Sequence, residues 1–164
     1  MRYLYRGINH EFHQTNAGRL VPKAQDVPFK QGIYWDTPTW YWDDGSTYGE
    51  SSTNAVIQHE RDSSKNPTSG VSTTPLMWVA KCYALTHGKF QSGYVYKIDT
   101  KLLEKYGVSK YTVADHATWP KIPSTQEIIL VAKDFGVLPS EIIVEVIEVV
   151  VSSGYYRRCC RSIG

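Results

Sequence analysis

Cysteine is scarce in this sequence, and its placement argues against a disulfide framework. The three cysteines are Cys82, Cys159 and Cys160, an odd number that includes an adjacent pair. This pattern favours a reducing compartment at the place where the protein acts. The sequence also has no Cys-x-x-Cys motif, and its five histidines show no recognisable metal-ligand spacing. We therefore expect no bound metal.

Long apolar runs are missing as well. The first residues lack the apolar core of a signal peptide, and no run approaches the roughly 18–20 residues that a membrane span needs. We therefore expect a soluble protein without a membrane partner. The formal net charge is only +2, so no overall field favours nucleic acid. A nucleic-acid partner stays open as the less favoured alternative.

The residues that are present predict one α+β domain. The 164 residues suffice for a single domain over 1–164, with a core at about 2–151 and a tail at 152–164. Apolar periodicity predicts strands at 2–7, 70–73, 94–99, 110–114, 127–133 and 142–151. It predicts helices at 52–62 and from Pro75 to a stop at Gly88, with Thr74 as N-cap, and short helices within 9–20 and 100–106. The stretch 22–53 is predicted to be an irregular loop.

Three chemically distinct side chains stand at the ends of predicted strands. Arg6 closes the first strand, a hydroxyl cluster beginning at Ser72 closes another, and Glu127 begins a strongly apolar one. An arginine suits phosphates because its donors form a planar fork. Hydroxyls suit ribose, and a carboxylate suits a bond that breaks to leave positive charge. The pattern therefore indicates a ligand that has all three features.

Four segments, in order, resemble one known family. They are Leu4-Tyr5-Arg6-Gly7, Val71-Ser72-Thr73-Thr74, Gly93-Tyr94-Val95-Tyr96-Lys97-Ile98, and Gln126-Glu127 followed by Leu138-Pro139. Together they resemble the cholera/pertussis-toxin-like mono-ADP-ribosyltransferases, which carry an Arg–Ser–Glu constellation. The resemblance covers about residues 2–150. It implies an ADP-ribosyltransferase-like fold, in which two packed, mainly antiparallel sheets form a split NAD-binding cleft with short flanking helices.

The resemblance also implies roles for individual residues. Glu127 would be catalytic, stabilising the positive charge that develops on the ribose of NAD. Arg6 would bind the diphosphate or a ribose, and Ser72 would hold Glu127. The remaining NAD-side candidates are Thr73, which lies beside Ser72 and is mainly structural, His59, and Tyr83, with Trp78 as an alternative to Tyr83 for stacking on nicotinamide.

The acceptor side departs from the family pattern. Arginine-modifying members carry Glu two residues before the catalytic glutamate, where this chain has Thr125. Arginine is therefore doubtful as the acceptor, whereas a hydroxyl, a thiol, an amide, a nucleobase or water is compatible. Trp119, in the loop before Thr125, would contact the acceptor macromolecule.

The resemblance implies an NAD-dependent effector or toxin. It would be secreted or injected by a signal-independent route and act in the target-cell cytosol. There it would transfer ADP-ribose to a host's or competitor's protein, with ubiquitin as one candidate, and release nicotinamide. The alternatives are an NAD glycohydrolase, a nucleic-acid ADP-ribosyltransferase, and a non-enzymatic glycan-binding module. The last would use the aromatic segment Trp35 to Tyr48 with Asp36, Asp43 and Asp44.

Overall fold

The computed structural model describes residues 1–36, 40–86 and 89–151. Its strands are β1 (Tyr3–Asn9), β2 (Gln31–Ile33), β3 (Gly49–Ser51), β4 (Val71–Thr73), β5 (Ser92–Asp99), β6 (Val108–Thr112), β7 (Ile128–Ala132) and β8 (Ile143–Val150). Its α-helices are α1 (His10–Thr15), α2 (Trp40–Asp43), α3 (Ser52–Asp62) and α4 (Met77–Ala84). The chain is therefore a mixed α+β structure, compatible with an ADP-ribosyltransferase-like fold.

The strands form antiparallel sheets whose order places distant segments side by side. One sheet has the order β1-β5-β8, a second β4-β7-β6, and a two-stranded ribbon pairs β2 with β3. An isolated antiparallel bridge between Tyr5 and Thr74 connects the two larger sheets. Because Tyr5 precedes Arg6, and Thr74 follows the hydroxyls of β4, this bridge brings the ends of β1 and β4 together.

Strand β7 is the centre of the core. All five of its residues are buried, and successive side chains of a strand point to opposite faces. Ile128, Leu130 and Ala132 pack into a cluster shared with β1 and β5, whereas Ile129 and Val131 pack against α3. The continuous apolar run of β7 thus reflects a strand covered on both faces.

Helix α4 lies unusually close to the β1-β5-β8 sheet. Gly7 and Gly93 face it, and Ala80 and Ala84 present small side chains from the helix. A Cβ atom at Gly93 would stand 2.1 Å from the backbone oxygen of Ala84, and one at Gly7 would stand 1.7 Å from that of Ala80. The helix can approach the sheet this closely only because both strand positions lack a side chain.

The structure confirms the strongest predicted elements and corrects weaker ones. Helix α3 has the predicted bounds, and β5 and β7 lie where expected. The short strands β2 and β3 and the helix α2 fall in the stretch predicted as irregular, so that prediction was wrong. Helix α1 lies within the predicted range 9–20, whereas the expected short helix at 100–106 is a 3-10 turn at Thr100–Leu102.

Two predictions about α4 are also corrected. The N-cap is Leu76, whose apolar side chain makes no capping bond. The hydroxyl of Thr74 lies two residues earlier and accepts the N–H of Leu76 at 3.0 Å. The helix ends at Ala84, and the predicted stop at Gly88 lies outside the described residues, as does the predicted tail at 152–164.

Cys82 is disulfide-bonded, contrary to the expectation drawn from the odd cysteine count.

Two further observations concern partners. Among residues 1–36, 40–86 and 89–151, no helix combines the length and apolar character needed to cross a bilayer. In the same ranges, no group of three or more His, Cys, Asp or Glu side chains is placed to hold a metal ion.

Replacing Gly93 with alanine should destabilise the fold. The added Cβ atom meets helix backbone rather than a flexible side chain, so we expect Gly93→Ala to lower the free energy of unfolding by about 3 kcal/mol or more. Urea denaturation followed by circular dichroism measures this loss. Gly136→Ala is the matched control, because its Cβ atom would stand 3.4 Å from Asp134 in ordinary contact. A loss for Gly93→Ala no larger than for the control would contradict the close packing of α4.

Candidate active site

A cavity of about 450 Å³ opens where the two larger sheets meet. The ends of β1 and β4, helices α3 and α4, and the segment that enters β7 all contribute to its wall. The predicted site residues that line it are Arg6, His59, Ser72, Thr73, Tyr83, Thr125 and Glu127. The structure therefore brings together residues that the sequence separates by more than a hundred positions.

Arg6, Ser72 and Glu127 meet in this cavity because of strand register. Arg6 donates from Nη1 to the backbone oxygen of Ser72 at 3.0 Å. Ser72 pairs with Ile129 across the β4–β7 ladder, so its side chain lies near the start of β7. Glu127 stands just before that strand, and its carbonyl accepts the N–H of Val113 at 3.0 Å. A hydrogen bond from the Ser72 hydroxyl lowers the pKa of Glu127.

The turn before Glu127 is held from both sides. Gln126 has a left-handed backbone with φ of 49°, which ends the 3-10 turn Pro123–Thr125 and directs the chain into β7. The hydroxyl of Thr74 donates to the carbonyl of Thr125 at 2.6 Å. The hydroxyl of Thr73 donates to the carbonyl of Ile128, also at 2.6 Å. Thr73 and Thr74 thereby fasten the segment that carries Glu127 to the end of β4.

His59 links the hydroxyl of Ser72 to a second hydroxyl. Its Nε2 atom lies 2.8 Å from Ser72 Oγ, and its Nδ1 atom lies 2.5 Å from Thr68 Oγ1. Thr68 Oγ1 in turn accepts the backbone N–H of Gly70 at 3.2 Å. The result is a hydrogen-bonded chain that runs from the backbone at Gly70 to the carboxylate of Glu127.

Counting protons gives this chain a direction. Ser72 has one hydroxyl hydrogen, and it is donated to the Glu127 carboxylate, which can only accept hydrogen bonds. Ser72 Oγ must then accept from His59 Nε2–H, which leaves Nδ1 of a neutral imidazole to accept from Thr68. His59 Nε2 also lies 3.8 Å from Glu127 Oε1, but a neutral imidazole makes no ion pair there. The chain orients the Ser72 hydroxyl toward Glu127.

Burial shifts the charges of the site, and cations oppose part of the shift. Burial raises the pKa of Glu127, while Ser72 and the positive charges of Arg6 and Lys23 lower it. Burial, reinforced by the same two cations, lowers the pKa of His59 from its ordinary value of 6.5 to about 3. Burial also lowers the pKa of Arg6, although Glu127 acts in the opposite direction. Glu127 is therefore a carboxylate with raised basicity, facing a guanidinium.

The other predicted residues occupy distinct places. Tyr83 lines the cavity and is 38% exposed, whereas the alternative Trp78 is not part of the described cavity wall. Thr125 is buried and donates its hydroxyl to the carbonyl of Ile122 at 2.8 Å. Trp119 lies outside the cavity wall, with 69% of its surface exposed.

Sequence reasoning missed three residues of this site. Lys23 lines the cavity and donates to Ser63 Oγ at 2.9 Å. Thr68 holds His59, and Glu60, next to His59 on α3, forms part of the cavity wall. Lys23 and Thr68 lie in loops without periodicity, so no pattern identified them. Glu60 could have been found only from its position beside His59.

One carboxylate of the aromatic segment proposed as a glycan site, that of Asp44, is buried and paired within the protein. Asp44 is 1% exposed. It pairs with the Arg61 guanidinium and accepts the N–H of Trp119 at 3.0 Å. Trp35 is exposed and stacks on Trp42 with ring centroids 5.7 Å apart. A sugar therefore could not use Asp44 without breaking these contacts.

The state of His59 can be tested directly. We expect His59 to stay neutral at pH 5 and to carry its proton on Nε2, which two-dimensional ¹⁵N–¹H spectra of the imidazole report. In the unfolded chain His59 protonates near 6.5, so acid should reduce the free energy of unfolding as the pH falls from 6.5 toward 3. Thr68→Val removes the donor to Nδ1 and should weaken the tautomer preference, which then depends on the bond from Nε2–H to Ser72 Oγ alone. A titration of wild-type His59 near pH 6.5 would contradict the hydrogen-bonded chain.

Comparison with known proteins identifies the family of this chain. No curated protein matches the sequence. The sequence model of the NarE family matches residues 3–130, which include every residue of the Arg6–Ser72–Glu127 group. NarE is an ADP-ribosyltransferase-like family, and membership indicates, at family level, an enzyme of the ADP-ribosyltransferase type with NAD as its substrate. Since the match spans most of the sequence, the chain belongs to the NarE family.

Proposed function

We propose that the protein is a mono-ADP-ribosyltransferase that moves ADP-ribose from NAD to a protein side chain other than arginine and releases nicotinamide. The observation that carries the proposal is the meeting of Arg6, Ser72 and Glu127 in one cavity, with a direct bond from Arg6 to the backbone of β4. It acts as an effector or toxin in the cytosol of a host or competing cell, which it reaches by a signal-independent route.

The cations of the cavity suit the diphosphate of NAD. Arg6 and Lys23 both line it, and each lowers the pKa of His59 through its positive charge. Arg6 donates to the backbone oxygen of Ser72 from Nη1, and a guanidinium has five N–H donors in a fixed fork. Arg6 therefore binds phosphate oxygens while it stays bonded to β4, and Lys23 adds a second positive charge.

Glu127 supplies the charge that the reaction needs. As the bond between nicotinamide and ribose breaks, its electron pair leaves with nicotinamide and the ribose becomes positively charged. A carboxylate held beside that carbon stabilises the charge without reorganising. Ser72, held by His59 and Thr68, keeps Glu127 in place, and Tyr83 stacks on the nicotinamide ring from α4. Thr73 supports the same strand end.

The acceptor is a hydroxyl-bearing side chain, such as a threonine or serine of ubiquitin. At the position where arginine-modifying enzymes have a carboxylate, Thr125 is buried and its hydroxyl is bonded to Ile122. It provides neither charge nor a free donor for a guanidinium. The exposed indole of Trp119 contacts the acceptor protein, since Arg61 and Asp44 hold its backbone and leave the ring in solvent.

Incubation with labelled NAD and a cell lysate tests the function. We expect nicotinamide release together with label on a serine or threonine, located by mass spectrometry, with purified ubiquitin as the first defined acceptor. Nicotinamide release without macromolecular label would show an NAD glycohydrolase, and label on nucleic acid would show that alternative. If the wild-type protein releases no nicotinamide at all, the enzymatic proposal fails.

Replacing the carboxylate of Glu127 by an amide should reduce catalysis more than binding. We expect Glu127→Gln to slow nicotinamide release by about 100- to 1,000-fold, which is the usual effect of removing one charge-stabilising group. NAD affinity, measured by calorimetry, should change little. Glu148→Gln is the matched control, since Glu148 is exposed on the edge strand β8. Equal rates for the two variants would exclude Glu127 as the catalytic carboxylate.

A further inference from the structure

A second cavity adjoins the first at Glu127. It has a volume of about 250 Å³, below the roughly 300–1,000 Å³ of typical small-molecule sites. Most of its wall is apolar and comes from Pro75, Val113, Ala114, Pro120, Ile122, Pro123 and Ile128. Three residues, Glu60, Ile122 and Glu127, line both cavities. The second cavity therefore suits one small side chain that approaches Glu127.

Glu60, which lines both cavities, has a buried carboxylate oxygen atom without a hydrogen-bond partner among the described residues. Its Oε1 atom accepts the backbone N–H of Lys121. Its Oε2 atom is buried, and no hydrogen-bond partner for it lies within the described residues. Buried polar atoms in native proteins are nearly always hydrogen-bonded, and an exception calls for an explanation. A ligand group that donates a hydrogen bond in the second cavity supplies one.

We propose that the second cavity receives the hydroxyl of the acceptor and that Glu60 is the base that takes its proton. The inference rests on the proposed transferase function and names a further catalytic residue for it. The acceptor oxygen forms a bond to the ribose carbon, and the bond to nicotinamide breaks with its electron pair. The hydroxyl proton passes to Glu60 Oε2 and then to solvent, so atoms and charge balance.

The free atom of Glu60 suits an O–H group better than a guanidinium. Arginine binds carboxylates most strongly through two parallel bonds, one to each oxygen. The N–H of Lys121 already bonds to Oε1 of Glu60, so a guanidinium would have to share that atom to form its second parallel bond. A hydroxyl needs only one, and the surrounding wall is apolar.

The electrostatic surroundings favour a base at this position. Burial raises the pKa of Glu60, the bond from Lys121 lowers it, and the neighbouring charges of Glu127 and Asp44 raise it while Arg61 lowers it. General bases work best when their pKa lies near the operating pH. Glu60 is thus a stronger base than an ordinary exposed glutamate.

The variant Glu60→Gln tests the proposal, because its amide oxygen can still accept the N–H of Lys121. Transfer to protein, acceptor-free NAD hydrolysis and NAD affinity are measured with the full chain, beside Glu148→Gln as control. We expect transfer to fall by about 100-fold or more. NAD affinity should stay within about two-fold, and hydrolysis should fall far less than transfer, because bulk water can take the proton of a water nucleophile.

The possible outcomes separate this inference from the function on which it rests. A wild-type protein without nicotinamide release defeats the proposed function itself. If the wild-type protein is active and Glu60→Gln transfers at an unchanged rate, Glu60 is not the base. A parallel loss of transfer and hydrolysis would place Glu60 on the NAD side and overturn the inference. Label on arginine would overturn the choice of a hydroxyl acceptor.

Discussion

Two backbone hydrogen bonds between Tyr5 and Thr74 determine where everything else in the site can lie. Tyr5 N–H donates to the Thr74 carbonyl at 2.8 Å, and Thr74 N–H donates to the Tyr5 carbonyl at 3.0 Å. They connect the β1-β5-β8 sheet to the β4-β7-β6 sheet. Arg6 is the next residue after one end of this bridge, and Ser72 lies two residues before the other. The β4–β7 register then sets the position of Glu127. Three side chains from distant segments meet because one bridge fixes one strand end against another.

Burial is the second constraint, and it acts on every ionisable group of the site in a predictable direction. It raises the pKa of Glu127 and Glu60 and lowers that of His59 and Arg6, because a poorly solvated charge is costly whatever its sign. Arg6 and Lys23 offset part of the cost for Glu127. The neutral state of His59 also follows from burial. Only a neutral imidazole can accept a hydrogen bond from Thr68 at one ring nitrogen and donate one to Ser72 from the other. The electrostatics and the hydrogen-bonded chain are therefore one arrangement.

The sequence predicted those parts of the fold and site that follow from local patterns. Helix α3 has a strong pattern and a capping serine, Ser51, whose hydroxyl accepts the N–H of Asn54, and the apolar run of β7 needs a strand covered on both faces. Strands β2 and β3 have three residues each, too few for any periodicity. They are held instead by the buried amide of Asn54, whose Nδ2 atom lies within hydrogen-bonding distance of three backbone carbonyls of the neighbouring segments and shares its two N–H groups among them. Such contacts join residues that no local window contains.

The same distinction explains the acceptor side of the site. The sequence motif of the arginine-modifying enzymes places a carboxylate two residues before the catalytic glutamate. At that position this chain has Thr125, so the motif shows only that a glutamate is absent there. Chemistry depends on distance in space, and the C-terminal half of α3 brings Glu60 to the boundary between the cavities, beside Glu127. Helical spacing allows this because His59 and Glu60 are adjacent and point about 100° apart around the helix axis. His59 therefore faces Ser72 while Glu60 faces Lys121 and the second cavity. One helix can thus serve the NAD side through the first residue and the acceptor side through the second.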